Sequence, residues 1–351
     1  MPSARCLLVV ATAASGGIVT AQDGGPAAAG GATSSFRYAM ALEAHGAERQ
    51  DFSIGVQHAL RGFDRTGAEL HSGVALGAVN LIAAEWRQPL DGDGRWFLAP
   101  RGLASRADPN LVLRDGPAAE SVQELGVGGD LGRRFGDACD LRLGFDRGWT
   151  EIDDRLGALT APELRYDDAA VRLRFAADTT DAPLLPSRGG ALRCDLRHGD
   201  PALGGDWRYD RTDFEAVRSF ASGPFVVTPL LRWSATWSGD LPPVRQPGLG
   251  GFLNLSGLPR NSDPAANAAV AAVAGRVRLD TSELLLDVPV WLGGSIEAGA
   301  SADDRSELLR NPRLGGSVFL SVATPHGAGV LGAGFAEGEG VSVFLFVGYG
   351  R

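Results

Sequence analysis

Histidine is the side chain best suited to moving a proton near neutral pH, and this sequence carries it at His45, His58, His71, His198 and His326. None has a second histidine or a carboxylate at the spacing that holds a metal ion. His71 shares a strand parity with Glu69, but an isolated acid–imidazole pair packs more often than it catalyses. A hydrolase serine sits on a G-x-S-x-G turn between strand and helix. Gly294-Ser295-Ile296-Glu297 and Gly316-Ser317-Val318-Phe319 each lack the closing glycine and lie in strand-like runs. With no nucleophile paired to a base, the sequence predicts no catalytic residue, no cofactor site and no metal site.

Charge in alternation is the constellation that remains. Glu69, Glu85, Arg87, Asp130, Arg134, Asp140, Arg142, Arg172, Arg174, Arg193, Asp195, Arg197, Arg232, Arg276 and Arg278 all fall on one parity of strand-like segments. Two chemistries fit such a set. The groups pair across strands and with a loop that fills the space between them, or they line a water-filled path that selects solutes by charge, the excess of arginine then favouring anions. Neighbours of opposite sign favour pairing.

Strands must position these residues. In "FVVTPLLRWSATW", Phe225, Val227, Leu231, Trp233, Ala235 and Trp237 share one face, and Thr228, Arg232, Ser234 and Thr236 the other. Val171, Leu173 and Phe175 oppose Arg172 and Arg174; Leu192, Cys194 and Leu196 oppose Arg193, Asp195 and Arg197. A soluble β-sandwich shows the same alternation when one face of each sheet is solvated. Helical patterning is nearly absent, and Trp86, Trp96, Trp149, Trp207, Trp237 and Tyr349 lie near strand ends, as in the aromatic girdles of membrane barrels. Segments of strand length number about sixteen, an even count as bacterial single-chain barrels require. They begin near Phe36, Asp51, Gly67, Val79, Arg95, Glu120, Ala138, Glu163, Gly189, Trp207, Phe225, Asn267, Asp287, Leu314, Ala328 and Val341. With both ends periplasmic, the long gaps, Ser238 to Ala266 the longest, face outward and most short gaps face inward. The expected fold is an all-β antiparallel transmembrane barrel with its sixth extracellular loop folded into the lumen.

The bulk numbers agree. The 351 residues include 33 basic side chains, every one arginine, against 42 acidic ones, a net charge of -9 that repels phosphate backbones and argues against nucleic acid as a partner. No stretch after the N-terminus reaches the roughly 18–20 apolar residues of a membrane helix. Met1 to Ala21 reads as a signal peptide, with a basic start, the apolar "CLLVVATAASGGIV" and the small-residue cleavage site Val19-Thr20-Ala21. Gln22 to Ser35 is a low-complexity linker, and Phe36 to Arg351 is the barrel. Cys139 and Cys194 are too few for a disulfide scaffold.

Several stretches, in order, resemble the C-terminal outer-membrane barrels of patatin-like autotransporter phospholipases, within the superfamily of barrel-assembly and two-partner-secretion translocators. They are "GAELHSGVALGAVNLIAAEWRQPL" with Glu85, "DTTDAPLLPSRGGALRCDLRH", "GLGGFLNLSGLPRN" and "SVFLSVATPHGAGVLGAGFAEGEGVSVFLFVGYG". The resemblance covers roughly Phe36 to Arg351. It implies an outer-membrane location, contact with lipids and lipopolysaccharide, insertion by the barrel-assembly machinery, and a translocated passenger that could be encoded separately. The chain would be a stand-alone translocation or pore module, or a relic of an autotransporter.

Two features depart from the family. Translocators present V-R-G-[FY] at the tip of the sixth loop, where the arginine pairs with lumen acids; Leu255-Ser256-Gly257-Leu258 stands here instead. Family barrels usually end in an aromatic residue, whereas this sequence ends Tyr349-Gly350-Arg351. A patatin-like lipase also needs an Asp-Gly-[GA] element, and Asp23-Gly24-Gly25 lies in the linker without its serine. A non-enzymatic barrel is therefore expected, with a barrel-borne lipase or esterase as the alternative. The loop should fold inward, since Leu249, Phe252, Leu253, Leu255 and Leu258 would otherwise expose an apolar patch, and Gly248, Gly250, Gly251 and Gly257 permit tight reversals. The expected receivers are the inward arginines and acids of the last strands, including Arg276 and Arg278, with apolar packing and main-chain hydrogen bonds as the anchor.

Overall fold

The computed structural model describes residues 32–45, 49–107, 121–153, 163–182, 184–280, 288–324 and 327–348. They form sixteen strands: β1 (Thr33–His45), β2 (Arg49–Arg61), β3 (Glu69–Gly77), β4 (Val79–Pro89), β5 (Trp96–Ala107), β6 (Ser121–Phe135), β7 (Cys139–Asp153), β8 (Glu163–Asp178), β9 (Gly189–Gly199), β10 (Tyr209–Ser222), β11 (Phe225–Gly239), β12 (Asn267–Arg278), β13 (Val290–Ala302), β14 (Arg313–Thr324), β15 (Gly327–Ala336) and β16 (Val341–Gly348). Each pairs antiparallel with its sequence neighbour, and β1 pairs with β16 to close the barrel. Among the described residues there is no α-helix. Closure gives each strand a partner on both sides, which is the condition for strands to cross a bilayer without unpaired main-chain groups.

Alternation in the sequence becomes alternation of burial. In β4, Val79, Leu81, Ala83, Glu85 and Arg87 are buried while Ile82 and Trp86 are exposed; in β16, Ser342, Phe344 and Phe346 are buried between exposed Val341 and Val343. The outward set is apolar around the whole circumference and includes Ile82, Leu125, Leu143, Val227 and Ile296, the last 79% exposed. A continuous apolar surface of that extent suits hydrocarbon rather than water.

Strand starts at Val79, Glu163, Gly189, Phe225, Asn267 and Val341 agree with those expected. The barrel reaches further towards the N-terminus than Phe36, because Thr33, Ser34 and Ser35 pair with Arg61, Leu60 and Ala59 of β2. Those three small polar residues carry no apolar–polar contrast, so periodicity could not register them. Trp207 is no girdle residue: it packs inside the β9–β10 connection, its ring edge-on to Tyr166 at 5.7 Å. The signal peptide, all but the last residues of the linker, His326 and Tyr349 to Arg351 lie outside the described residues.

Candidate functional site

The inward face has two unlike walls. From β3 to β10 it is charged. Glu69 lies 3.0 Å from Arg134 and 3.6 Å from Arg87. Arg87 continues to Glu85 at 3.3 Å, and Glu85 to Arg142 at 3.2 Å. Arg142 also meets Asp140 at 3.1 Å. Asp130 sits 2.5 Å from Arg101 and 3.0 Å from Arg172, and both arginines contact Asp146. Further round, Asp195 bridges Arg174 at 2.7 Å and Arg193 at 2.6 Å, and Arg232 meets Glu215 at 3.3 Å. Arg197 is in register with Arg172 on one side and Arg211 on the other. Glycine makes this close pairing possible: a side chain at Gly144 would strike the Asp130 carboxylate, which lies across that strand. The pairing reading of the alternating charges therefore fits the geometry better than a lining of free arginines. His71 donates to the Glu69 carboxylate at 3.0 Å as part of the same network.

From β12 round to β1 the inward face is mostly small or apolar instead, with Glu297 and Glu43 as its buried acids. Ser295, Ser317, Phe319, Val330, Phe344 and Phe346 are all buried there. The middle of the β11–β12 loop (residues 240–266) lies against this wall, while its start, with Leu241 and Val244, packs on strands of the other. Leu249, Leu255 and Leu258 are at most 1% exposed and pack with Ala268, Val270 and Ala336. Phe252 stands edge-on to Phe319 at 5.3 Å and tilted over Phe344 at 4.8 Å. At the tip, Ser256 donates its backbone N–H and its hydroxyl to the two oxygens of Glu297 at 2.7 and 2.6 Å. Ser295 donates to Glu297 as well, and Ser342 to the Ser256 carbonyl. Gly257 and Gly334 bring the tip onto β15, since a methyl group at either would run into backbone of the other element. Gly250 and Gly251 adopt φ of 102° and 89°, a region L side chains rarely enter, and so turn the chain into this hairpin.

Two loop arginines anchor its flanks. Arg260 grips Glu43 of β1 with two hydrogen bonds, 2.6 and 2.9 Å. Arg245 meets Glu124 of β6 at 2.5 Å and Asp168 of β8 at 3.0 Å. Burial works against the Arg245 charge, but the two carboxylates outweigh it and hold its pKa well above the ordinary guanidinium value. Arg232 adds a hydrogen bond to the Leu253 carbonyl at 3.1 Å, and His45 one to the Leu258 carbonyl at 3.0 Å.

This corrects two expectations. Arg276 and Arg278 do not receive the loop: Arg276 donates to Ser187 at 2.8 Å and covers the Trp291 ring, and Arg278 is exposed. Both sit at the far end of β12, beyond the depth the loop reaches. Nor is the anchor limited to packing and main-chain bonds, because Arg245 and Arg260 supply ion pairs on either side of the tip. A residue not singled out from sequence, Glu297, holds the position that faces Ser256. Its signal was an acid alone on the inward parity of "WLGGSIEAGA", a strand otherwise made of small and apolar residues.

The opposite end of the barrel reaches the same cluster. In the β8–β9 turn, Asp181 accepts from the N–H groups of Ser187 and Arg188 and so folds the turn back. Leu184 and Leu185 then pack against the Phe319, Phe344, Phe346 and Phe252 cluster. Beside these contacts a cavity of about 450 Å³ remains, bordered by Leu184, Leu192, Arg193, Glu215, Arg232 and Phe252. Among the described residues no group of His, Cys, Asp and Glu could hold a metal ion, and Cys139 and Cys194 are free thiols.

No protein-family model matches this chain, and no curated protein matches it. Solved structures do. BamA from Haemophilus ducreyi lacking POTRA domains 1-3 superposes with a TM-score of 0.70 at 12% identity, over 91% of this chain and 70% of that one. CdiB from Acinetobacter baumannii gives 0.62 at 10% identity, over 90% and 60%. CdiB from Escherichia coli gives 0.53 at 13% identity, over 90% and 63%. The chain thus has the sixteen-strand barrel fold of these proteins and spans less than two thirds of either CdiB chain.

Proposed function

We propose that this chain is a non-enzymatic outer-membrane barrel of the translocator type, held shut by its own β11–β12 loop acting as a plug. The observation that carries this reading is the seat of the loop tip, in which Ser256 satisfies Glu297 while Leu255 and Leu258 bury against the wall. The BamA-like and CdiB-like fold supports it. On this reading the loop enters from the extracellular side and the β8–β9 turn faces the periplasm. The outward apolar face meets lipids and lipopolysaccharide, the barrel-assembly machinery inserts the chain, and a separately encoded passenger is the cargo to seek. The resemblance to patatin-like autotransporter barrels makes the chain a stand-alone module or a relic of such a protein.

Hydrolysis of short-chain esters separates this reading from a barrel-borne lipase. The buried Ser256 and Ser295 hydroxyls donate to Glu297 and Ser317 hydrogen-bonds Ser295, and no histidine is hydrogen-bonded to any of the three. Refolded protein should therefore release p-nitrophenol from butyrate esters no faster than the empty detergent. Turnover that one serine-to-alanine substitution abolishes would overturn the non-enzymatic assignment.

A further inference from the structure

Several exposed arginines at the ends of the barrel have carboxylate partners. At the end carrying the β11–β12 loop these include Arg147 with Asp167 at 3.1 Å, Arg165 with Glu151 at 2.6 Å, Arg208 with Asp200 at 2.9 Å, Arg310 with Glu307 at 3.0 Å and Arg313 with Asp263 at 3.1 Å, while Arg305 lies 4.3 Å from the Trp237 ring centre; at the other end Arg95 meets Asp93 at 3.6 Å. At the other end, Arg133 and Arg218 point outward beside the apolar belt, and among the described residues neither has a carboxylate or a hydrogen-bond acceptor. Aromatic rings hold them instead. The Arg133 guanidinium carbon lies 5.2 Å from the Trp96 ring centre and 5.0 Å from that of Phe135, and Arg218 lies 5.7 Å from that of Phe220.

Ring contacts orient a guanidinium without using its donors, so all five N–H groups of Arg133 stay available to a ligand. Its depth is set by register. Arg133 pairs directly with Trp96, the first residue of β5, at the barrel rim where membrane gives way to water. Trp96 and Phe135 are 42% and 48% exposed on the outward face, as rings at a headgroup layer are. An outward arginine at that depth meets phosphate, which a guanidinium binds in two-pronged fashion. A zwitterionic headgroup brings its own ammonium counter-ion to the phosphate, and an anionic one does not.

We propose that Arg133, with Trp96 and Phe135, binds the phosphate of an anionic phospholipid in the leaflet at this end of the barrel, and that Arg218 over Phe220 is a second, weaker site. The inference rests on the outer-membrane reading, in which this leaflet is the periplasmic one. The test is native mass spectrometry of the full chain released from bilayers that contain phosphatidylglycerol and phosphatidylcholine in equal amounts. Wild type should retain phosphatidylglycerol preferentially, and Arg133→Gln should weaken that retention about fivefold, the effect of one basic side chain at a membrane surface. Arg133→Lys should recover part of it, and Arg310→Gln, at the other end, none should be lost. Equal retention of the two lipids by wild type, or wild-type retention by a folded, heat-modifiable Arg133→Gln barrel, would overturn the site. Displacement of the lipid by an equal concentration of inorganic phosphate would also overturn it, assigning the arginine to the free ion. A chain that fails to enter bilayers at all would instead sink the barrel reading on which the site depends.

Discussion

Deleting Gly250 to Arg260 should raise single-channel conductance in a planar bilayer severalfold over wild type. A sixteen-strand barrel encloses a lumen wide enough for water once nothing fills it, and this segment contributes Leu255, Leu258 and Phe252 to the interior packing. The open state should still be partial. Leu184 and Leu185 reach the same phenylalanine cluster from the opposite end, so replacing both with serine in the deletion background should add a further step in conductance. The same substitutions in wild type should change little, because the loop tip would remain in place. Ion selectivity of the opened barrel should be weak, since the charged wall pairs acid with base along its length. Conductance unchanged in both the deletion and the combined variant would mean that neither element blocks the path.

Glu297→Ala should release the loop without removing any of it. The carboxylate accepts from the Ser256 N–H, the Ser256 hydroxyl and the Ser295 hydroxyl. Among the described residues no arginine lies within ion-pair distance of it, so these donors are what holds the charge in place. Alanine would strand buried donors on both elements, at about 3 kcal/mol against the seated tip. Glu297→Gln keeps one carbonyl acceptor and should fall between. Trypsin added outside intact cells reads the outcome at Arg260, whose side chain is engaged by Glu43 in the seated loop. Wild type should resist and Glu297→Ala should be cut; equal resistance would mean that Arg245 and Arg260 suffice as anchors.

Strand parity was legible because the outward parity is apolar on nearly every strand while most charged residues fall on the inward one, and because the turns carry glycine, proline or aspartate. Hence Val79, Gly189, Phe225, Asn267 and Val341 could be placed to the residue. Depth was harder to read. Arg276 and Arg278 have the right parity to face the loop, but each residue advances a strand by roughly 3.4 Å, which carries them to the far end of β12. Partners across the interior leave even less trace, since nothing local links Arg260 to Glu43 or Ser256 to Glu297. Parity does state that Glu297 points inward, and its isolation among small residues marks it as waiting for a donor. Ser256 stands at the tip position where the translocators this sequence resembles present an arginine, and it serves the acid through two short hydrogen bonds.

Thiol labelling from outside intact cells tests most directly that the loop tip lies within the barrel. With Cys139 and Cys194 replaced by alanine, a cysteine is placed at Ser256, 1% exposed, or at Leu309, 77% exposed in the β13–β14 loop. A membrane-impermeant maleimide should label Leu309→Cys quickly and leave Ser256→Cys untouched until the cells are denatured. Labelling of Ser256→Cys at the rate of Leu309→Cys would place the tip on the surface and contradict the plug.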